Sequence, residues 1–166
     1  MTEPITMITS PVRLEYRYTP GVAMSRFLRH IAEGEIVGQR CPRCSKVYVP
    51  PRSGACPRCG VPTQEEVPVA DVGTVTTFCV VNVPFAGSLP LPYVAAAILL
   101  DGADIPITYL LQEVEAGDVR MGMRVRAEWA TPEERTTSID HSIRYFKPTG
   151  EPDVPIDTVL EALLSA

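Results

Sequence analysis

The sequence predicts an α+β protein that is mainly β: an N-terminal helix and a four-cysteine zinc ribbon, followed by a five-stranded OB-fold barrel and a C-terminal helix. Three observations lead to this class. Four of the five cysteines stand in two CxxC pairs within one short segment, five strand-like patterns follow them, and apolar residues recur at helical spacing near both ends. The 17 prolines and 11 glycines also imply many turns, which favours short strands over a helical bundle.

The first helix is predicted from apolar residues at i, i+3, i+4 and i+7, which share one face of a helix. These residues are Met24, Phe27, Leu28 and Ile31. Pro20 after Thr19 is typical of a helix start, and Gly34 is typical of a helix end.

The two cysteine pairs, Cys41-Pro42-Arg43-Cys44 and Cys56-Pro57-Arg58-Cys59, have the spacing of a structural zinc ribbon. Two intervening residues let both sulfurs of a pair face one ion, and four thiolates then close a tetrahedron. We therefore predict Zn²⁺ bound by Cys41, Cys44, Cys56 and Cys59. Such a closed site organises structure and has no open position for chemistry. Unrelated thiols or two disulfides are the alternative interpretation of the same cysteines.

The residue that follows each knuckle matters for its backbone. Gly60 can adopt the left-handed turn that lets backbone N–H groups face the sulfurs, whereas Ser45 occupies the equivalent place less suitably. The segment 38–64 has few large apolar residues. We expect its folding to depend on the metal, because zinc binding contributes roughly 10–16 kcal/mol in small finger peptides.

The second half of the chain has the patterns of short β-strands. Five are predicted, and Met121–Trp129 alternates most clearly between apolar and charged residues. Such strands leave few open edges if they close into a small OB-type barrel, with a short helical turn within 112–122. Cys79 is expected to face the core with Val75. The five segments are Val72–Val83, Tyr93–Leu100, Ile105–Leu111, Met121–Trp129 and Ile143–Phe146.

The C-terminal segment predicts an amphipathic helix behind a proline-rich linker. Its apolar stripe consists of Ile156, Val159, Leu160, Leu163 and Leu164. We expect this helix to contact a partner chain more than its own barrel. The chain is accordingly divided into a helix and ribbon (19–66), a barrel (67–148), and a linker with the last helix (149–166).

Composition narrows the classes of function. The net charge of −5 and the pI of about 5.1 argue against a nucleic-acid partner, whose phosphates require basic surfaces. The longest apolar run is too short to cross a bilayer and no signal peptide is visible, so we expect no membrane association. Reduced thiolates fit a cytoplasmic location. Neither His30 nor His141 stands in a recognisable catalytic context, so no catalytic residue is predicted.

Two further features suggest surfaces that bind a ligand or a partner protein. Basic residues surround the ribbon, and Arg52 and Arg58 are candidates for the phosphates of coenzyme A. The loop 84–92 contains Phe85, Leu89 and Leu91 between prolines, which is typical of a docking surface as well as of a cap on its own barrel. For docking to a partner we single out this loop and the last helix, with the residues Phe85, Leu89, Leu91, Leu160, Leu163 and Leu164.

Short motifs in a fixed order give the chain a family resemblance over residues from about 20 to 148. They are Phe27-Leu28, Gly34-Glu35-Ile36, Arg40-Cys41-x-x-Cys44, Pro50-Pro51-Arg52, Cys56-Pro57-x-Cys59-Gly60, Gly73-Thr74-Val75, Pro92-Tyr93 and Gly122-Met123-x-Val125. Together they resemble the acyl-CoA-associated OB-fold family with an N-terminal rubredoxin-like zinc ribbon. Ser45 departs from the glycine usual in that family.

The resemblance implies a function that the residues alone do not. Members of that family accompany thiolase-like or lipid-transfer-protein-type enzymes, so it implies a non-catalytic subunit that stabilises a thiolase or retro-aldolase. Steroid or fatty acyl-CoA side-chain degradation is the implied setting, and acyl-CoA is a candidate ligand. Two alternatives stay open: a nucleic-acid-binding OB-fold protein, and a rubredoxin-like electron carrier with iron in place of zinc.

Overall fold

A computed structural model describes residue 7 and residues 17–52, 54–84 and 88–165 of the chain. The described part contains three α-helices and eight β-strands, and a short 3₁₀ turn at Ala116–Asp118. In chain order the elements are α1 (Gly21–Glu33), β1 (Ile36–Arg40), β2 (Val47–Tyr48), β3 (Glu65–Val69), β4 (Val72–Val81), β5 (Tyr93–Leu100), β6 (Ile107–Leu111), β7 (Arg124–Trp129), α2 (Ile139–Ser142), β8 (Ile143–Pro148) and α3 (Ile156–Ser165).

Helix α1 has the bounds that the sequence predicts. It begins directly after Pro20 and ends at Gly34, whose φ of 86° lies in the left-handed region that a glycine adopts without strain. The N–H of Gly34 donates to the carbonyl of Ile31, and the N–H of Glu35 donates to the carbonyl of His30. The buried face contains Phe27 and Ile31, as the i, i+4 spacing predicts.

The ribbon is built on a three-stranded antiparallel sheet with the order β2-β1-β3. Strand β1 pairs with β3 over its whole length, from Ile36 opposite Val69 to Arg40 opposite Glu65. The two cysteine knuckles extend from one end of this sheet. Because β3 spans 65–69, it crosses the boundary at 66/67 that the sequence suggested between ribbon and barrel, and the three-part division of the chain stays a prediction.

The predicted OB-type architecture is confirmed, since strands β4 to β8 form a closed barrel with the order β4-β5-β6-β8-β7. Neighbouring strands are antiparallel except β6 and β8, which run parallel. Strand β5 alternates strictly, with Val94, Ala96, Ile98 and Leu100 buried. The 3₁₀ turn lies within 112–122, as expected.

Cys79 corrects one expectation, because its side chain is exposed instead of facing the core. A β-bulge interrupts the pairing of β4 with β5 between Val75 and Thr77. Val75 and Thr76 are consequently both buried, and every later residue of β4 points to the opposite face from the one that alternation predicts. Phe78 therefore packs against the core in place of Cys79.

The main core extends beyond the barrel. The buried cluster of the barrel interior also includes Phe27 and Ile31 of α1, Ile36 and Val47 of the ribbon sheet, and Val49 directly after β2. The ribbon sheet is therefore fixed to the barrel by shared apolar packing, while the knuckles project away from it.

Helix α3 packs against the barrel, where Val159 is buried and lines a small cavity with Thr76 and Leu99. The expectation that this helix reaches mainly toward another chain is therefore wrong for the face that contains Val159. No helix within the described residues is long and apolar enough to span a membrane.

Candidate metal centre and surrounding surfaces

The four predicted metal-ligating sulfurs lie together. The Sγ atoms of Cys41, Cys44, Cys56 and Cys59 all lie within 4.8 Å of one another, and those of Cys44 and Cys56 are 3.7 Å apart. Cys41 and Cys56 are buried, whereas the second cysteine of each pair is half-buried. The structure therefore brings two knuckles that are 12 residues apart in sequence around one point.

The knuckles use the same backbone arrangement. The N–H of Ser45 donates to the carbonyl of Cys41 at 2.9 Å, and the N–H of Gly60 donates to that of Cys56 at the same distance. Ser45 has a φ of 61° and Gly60 a φ of 68°, so both residues occupy the left-handed region. As the sequence predicts, Ser45 in the first knuckle must adopt the left-handed conformation that Gly60 adopts in the second knuckle without strain.

Tyr48, which the sequence motifs do not single out, contacts the cluster of sulfurs. Its hydroxyl lies 3.3 Å from the Sγ of Cys56, in a buried contact. Burial by itself raises the pKa of the Cys56 thiol, but the hydrogen bond from Tyr48 and one from the backbone of Cys59 outweigh it and lower the pKa to about 6. The sequence did contain a signal for this contact. Tyr48 lies between Val47 and Val49, so if the two valines face the core, alternation along the strand turns the Tyr48 side chain to the other face.

The donor set fits a dication. Burial, followed by the neighbouring cysteines, raises the pKa of the Cys59 thiol to about 12, since a further thiolate in this space adds negative charge to its neighbours. A bound Zn²⁺ removes that obstacle because it compensates the charge of the coordinating thiolates. The four sulfurs are thus close enough together, and chemically suited, to bind zinc.

The basic residues around the ribbon fall into two groups. Arg40 lies 3.5 Å from Glu65, and Lys46 lies 3.2 Å from Asp104, which also accepts a hydrogen bond from the N–H of Val47. Arg40 therefore joins two strands of the ribbon sheet, whereas Lys46 connects the ribbon to the barrel, since Asp104 lies between β5 and β6. Within the described residues Arg43, Arg52 and Arg58 form no ion pair, and all three are exposed.

Arg52 lines a cavity of about 320 Å³ between α1, the ribbon and the barrel. The floor of this cavity is apolar and includes Phe27, Ile31 and Val49, each less than 5% exposed. Asp140 and Tyr109 lie on the barrel side, where the Tyr109 hydroxyl donates to the carbonyl of Ile143 at 2.6 Å. Arg58, by contrast, is placed on the second knuckle and is not among the residues that line this cavity.

The loop between β4 and β5 leaves apolar side chains in contact with solvent. Leu89 is 43% and Leu91 is 37% exposed, and Leu89 borders a groove of about 350 Å³ with residues 111–116. Phe85, the third predicted docking residue of this loop, lies outside the described residues. The described part of the loop therefore does not fully cap its own barrel.

The predicted docking residues of α3 differ in their surroundings. Leu160 is 44% and Leu164 is 88% exposed, while Leu163 is half-buried. Ile156, 46% exposed, completes a line at i, i+4 and i+8 on one side of the helix. Helix α3 thus has two apolar edges, and only the edge with Val159 is covered by the barrel.

The fold and the four-cysteine site together define a zinc-ribbon protein with an OB-fold barrel. Two family models match the chain: the rubredoxin-like zinc ribbon domain of ChsH2 over residues 30–64, and the C-terminal OB-fold domain of ChsH2 over residues 66–130. A DUF35 domain-containing scaffold protein of Methanocaldococcus jannaschii is 40% identical over 106 residues, which cover 61% of this chain and 73% of that protein. The chain belongs to the DUF35 family.

Two solved structures share the fold. One, described as an Ltp2–ChsH2(DUF35) aldolase, has a TM-score of 0.60 at 22% identity and covers 80% of this chain and 98% of that chain. The other is a DUF35-family protein of unknown function from Sulfolobus solfataricus, with a TM-score of 0.55 at 18% identity, covering 74% of this chain and 82% of that one. At these identities the likeness establishes architecture, and the predicted resemblance is confirmed at the level of family and fold.

Proposed function

We propose that this chain is a non-catalytic subunit that binds and stabilises a thiolase-superfamily acyl-CoA enzyme, either a thiolase or a retro-aldolase. The observation that carries the proposal is the uncovered edge of α3, formed by Ile156, Leu160 and Leu164. A helix that is already packed on its barrel gains nothing from a second apolar edge in water, whereas a partner surface can cover that edge.

The comparisons support this choice of partner. The 40% identical relative is named a scaffold protein, and one structure with this fold is described as part of an aldolase. A scaffold needs a shape that holds a partner and no reactive group of its own. We assign no catalytic residue to this chain and expect the partner to supply the reactive cysteine or base.

The ribbon has a structural role in this proposal. Cys41, Cys44, Cys56 and Cys59 would hold one Zn²⁺, which supplies four strong bonds in place of an apolar core. Arg43 and Arg58 occupy the same position in the two knuckles, are exposed and form no ion pair within the described residues, so they offer a positive surface to a partner. Because thiolates must stay reduced, we place the protein in the cytoplasm.

Arg52 and Arg58 differ as candidates for binding coenzyme A. Arg52 borders an apolar cavity and has no ion-pair partner within the described residues, so one side chain combines a positive charge with an adjacent apolar surface. We favour Arg52 over Arg58 for a contact with the acyl-CoA of the partner enzyme. Degradation of steroid or fatty acyl side chains is the setting that we propose for the complex.

Co-expression with the thiolase-like enzyme of the same source tests the proposal. We expect the two proteins to purify together, and the enzyme to lose solubility or activity when it is made alone. The double variant Leu160→Ser and Leu164→Ser should weaken the complex at least tenfold, as truncation of central apolar anchors does.

Glu161→Ser is the matched control, because Glu161 is exposed on the same helix and lies outside the stripe. It should leave the affinity unchanged. Two results would overturn the proposal: no association of the two proteins together with a fully active and soluble enzyme alone, or equal binding by the double variant and the control.

A further inference from the structure

A second group of metal-ligating side chains lies at the C-terminal end of α1, apart from the cysteines. The Nδ1 atom of His30 is 3.0 Å from a carboxylate oxygen of Glu35 and 4.0 Å from one of Glu33. The three donor atoms all lie within 4.8 Å of one another. One imidazole nitrogen and two carboxylates are therefore already gathered on one side of the helix end.

The local backbone produces this arrangement. His30 and Glu33 are three residues apart on α1, so they share a face of the helix. The left-handed Gly34 then reverses the chain, and the hydrogen bond from the N–H of Glu35 to the carbonyl of His30 at 2.9 Å folds Glu35 back over the histidine. The sequence GEI after the helix thus positions a third donor that helix geometry alone could not supply.

The other nitrogen of the imidazole also faces a carboxylate. Nε2 of His30 lies 3.8 Å from a carboxylate oxygen of Glu66 in β3, whose second oxygen is 3.3 Å from Arg26. In metal sites a histidine commonly has such a carboxylate on its non-coordinating nitrogen, which fixes the orientation of the ring. At 3.8 Å the contact is an ion pair and longer than a hydrogen bond, so a small approach of Glu66 would orient His30 with Nδ1 toward Glu33 and Glu35.

The charges at this end of α1 favour a cation. Within the described residues, His30 is the sole basic side chain within 4.0 Å of the carboxylates of Glu33 and Glu35. The carbonyls of His30 and Ile31 accept cap hydrogen bonds, so the negative charge at this end of α1 comes from the two carboxylates. Arg135 contacts the carbonyl of Glu33, but its guanidinium forms no ion pair with either carboxylate.

We propose that His30, Glu33 and Glu35 form a second metal site, which takes a divalent ion of borderline softness such as Zn²⁺, Co²⁺ or Ni²⁺. Imidazole and carboxylate ligands suit these ions. In a tetrahedral site with bonds of about 2.0–2.1 Å, neighbouring donors lie roughly 3.3 Å apart, so small rotations of the two exposed glutamates close the site. Solvent fills the fourth position. The bound ion would connect the end of α1 to Glu35, the residue directly before β1.

Zinc titration of the full-length protein, with one zinc already in the ribbon, tests this site. We expect one further Zn²⁺ per chain by calorimetry and by elemental analysis. The imidazole resonances of His30 should shift as this second equivalent is added, and those of His141 should not. A Co²⁺ titration distinguishes the two sites, because only ribbon cobalt gives thiolate charge-transfer absorption.

Variants identify the ligands. His30→Ala should abolish binding of the second ion, and Glu35→Gln should weaken it at least tenfold, while the ribbon zinc is retained in both. His141→Ala, which changes the other histidine of the chain, is the matched control and should bind both ions normally. The proposal is overturned if the wild-type protein takes up a single zinc, or if both His30→Ala and Glu35→Gln bind the second ion with wild-type affinity.

Discussion

The knuckle end of the ribbon and the barrel are stabilised by different means. Around the four sulfurs the buried cluster contains Cys41, Tyr48 and Cys56, with Val61 and Ile105 packed at its edge. The barrel instead shares a continuous apolar core with α1 and the ribbon sheet, in which Val75, Ile98, Val125 and Phe146 are fully buried. We therefore expect the knuckles to depend on a bound ion, whereas the barrel is stabilised by its own buried residues.

This contrast suggests how a protein that combines a zinc ribbon with an OB-fold barrel is organised. Apolar packing scales with buried area, so a segment of about two dozen residues with few large side chains cannot offset the entropy of its own ordering. Metal coordination stabilises such a segment and leaves its surface free for polar and charged groups. The knuckles can therefore expose arginines, because their stability would come from metal–sulfur bonds and not from an apolar surface.

The largest expected effect comes from removing zinc. Treatment with a chelator under reducing conditions, or Cys41→Ser, should unfold the knuckle segments 41–46 and 54–64 while the barrel stays folded, since the zinc contribution is on the order of 10 kcal/mol. Hydrogen exchange should show loss of protection in the two knuckle segments and retained protection in 72–148. Cys79→Ser is the matched control, because Cys79 is exposed on the barrel. Loss of protection in both regions at once would contradict the contrast.

Truncation of the barrel core should have the next largest effect. Val125→Ala removes two methyl groups from a fully buried position and should lower the free energy of unfolding by about 2 kcal/mol, including the cavity that remains. Denaturant unfolding measures this change. Val83→Ala makes the same substitution at a side chain that is 72% exposed and should change stability by less than about 0.5 kcal/mol. Equal losses for the two variants would show that the barrel does not depend on its buried apolar residues.

The hydroxyl of Tyr48 links the metal site to the protein around it. Tyr48→Phe removes its contact with the Sγ of Cys56 and should lower zinc affinity about tenfold, as the loss of other outer-shell partners does. Competition with a chelator measures the change. Tyr145→Phe removes a hydroxyl that donates to Glu113 at 2.7 Å on the barrel, so zinc affinity should stay unchanged. If Tyr48→Phe binds zinc as tightly as the wild type, the hydroxyl contributes only to packing.

Much of this organisation was predictable from local signals. Helix α1 followed from apolar spacing and a terminal glycine, and the grouping of the four cysteines followed from two identical motifs. Each of these signals lies within a few residues and requires no knowledge of distant pairing. For the same reason the barrel strands were found within a few residues of their bounds.

Features that depend on tertiary pairing were not predictable. The orientation of Cys79 depends on a bulge near Thr76, which one-residue alternation cannot reveal. Strand β3 contains two glutamates and a proline in five residues and becomes a strand through its pairing with β1. The contact of Tyr48 with Cys56 likewise requires the sheet to be formed first.

The smallest expected effect compares the two knuckles with each other. Ser45 and Gly60 have nearly the same φ, but a serine pays for the left-handed conformation and a glycine does not. Ser45→Gly should therefore strengthen zinc binding by about 0.5–1 kcal/mol, or about two- to fivefold, after the greater freedom of glycine in the unfolded chain is subtracted. Chelator competition resolves a change of this size.

Gly60→Ser is the reciprocal variant. A Cβ at Gly60 meets no atom within 4 Å, so the expected loss of affinity comes from backbone conformation alone and should be similar in size and opposite in sign. If Ser45→Gly weakens binding instead, the serine side chain contributes to the knuckle more than its strained backbone costs. The two knuckles would then be built on different principles despite their identical CPRC sequences.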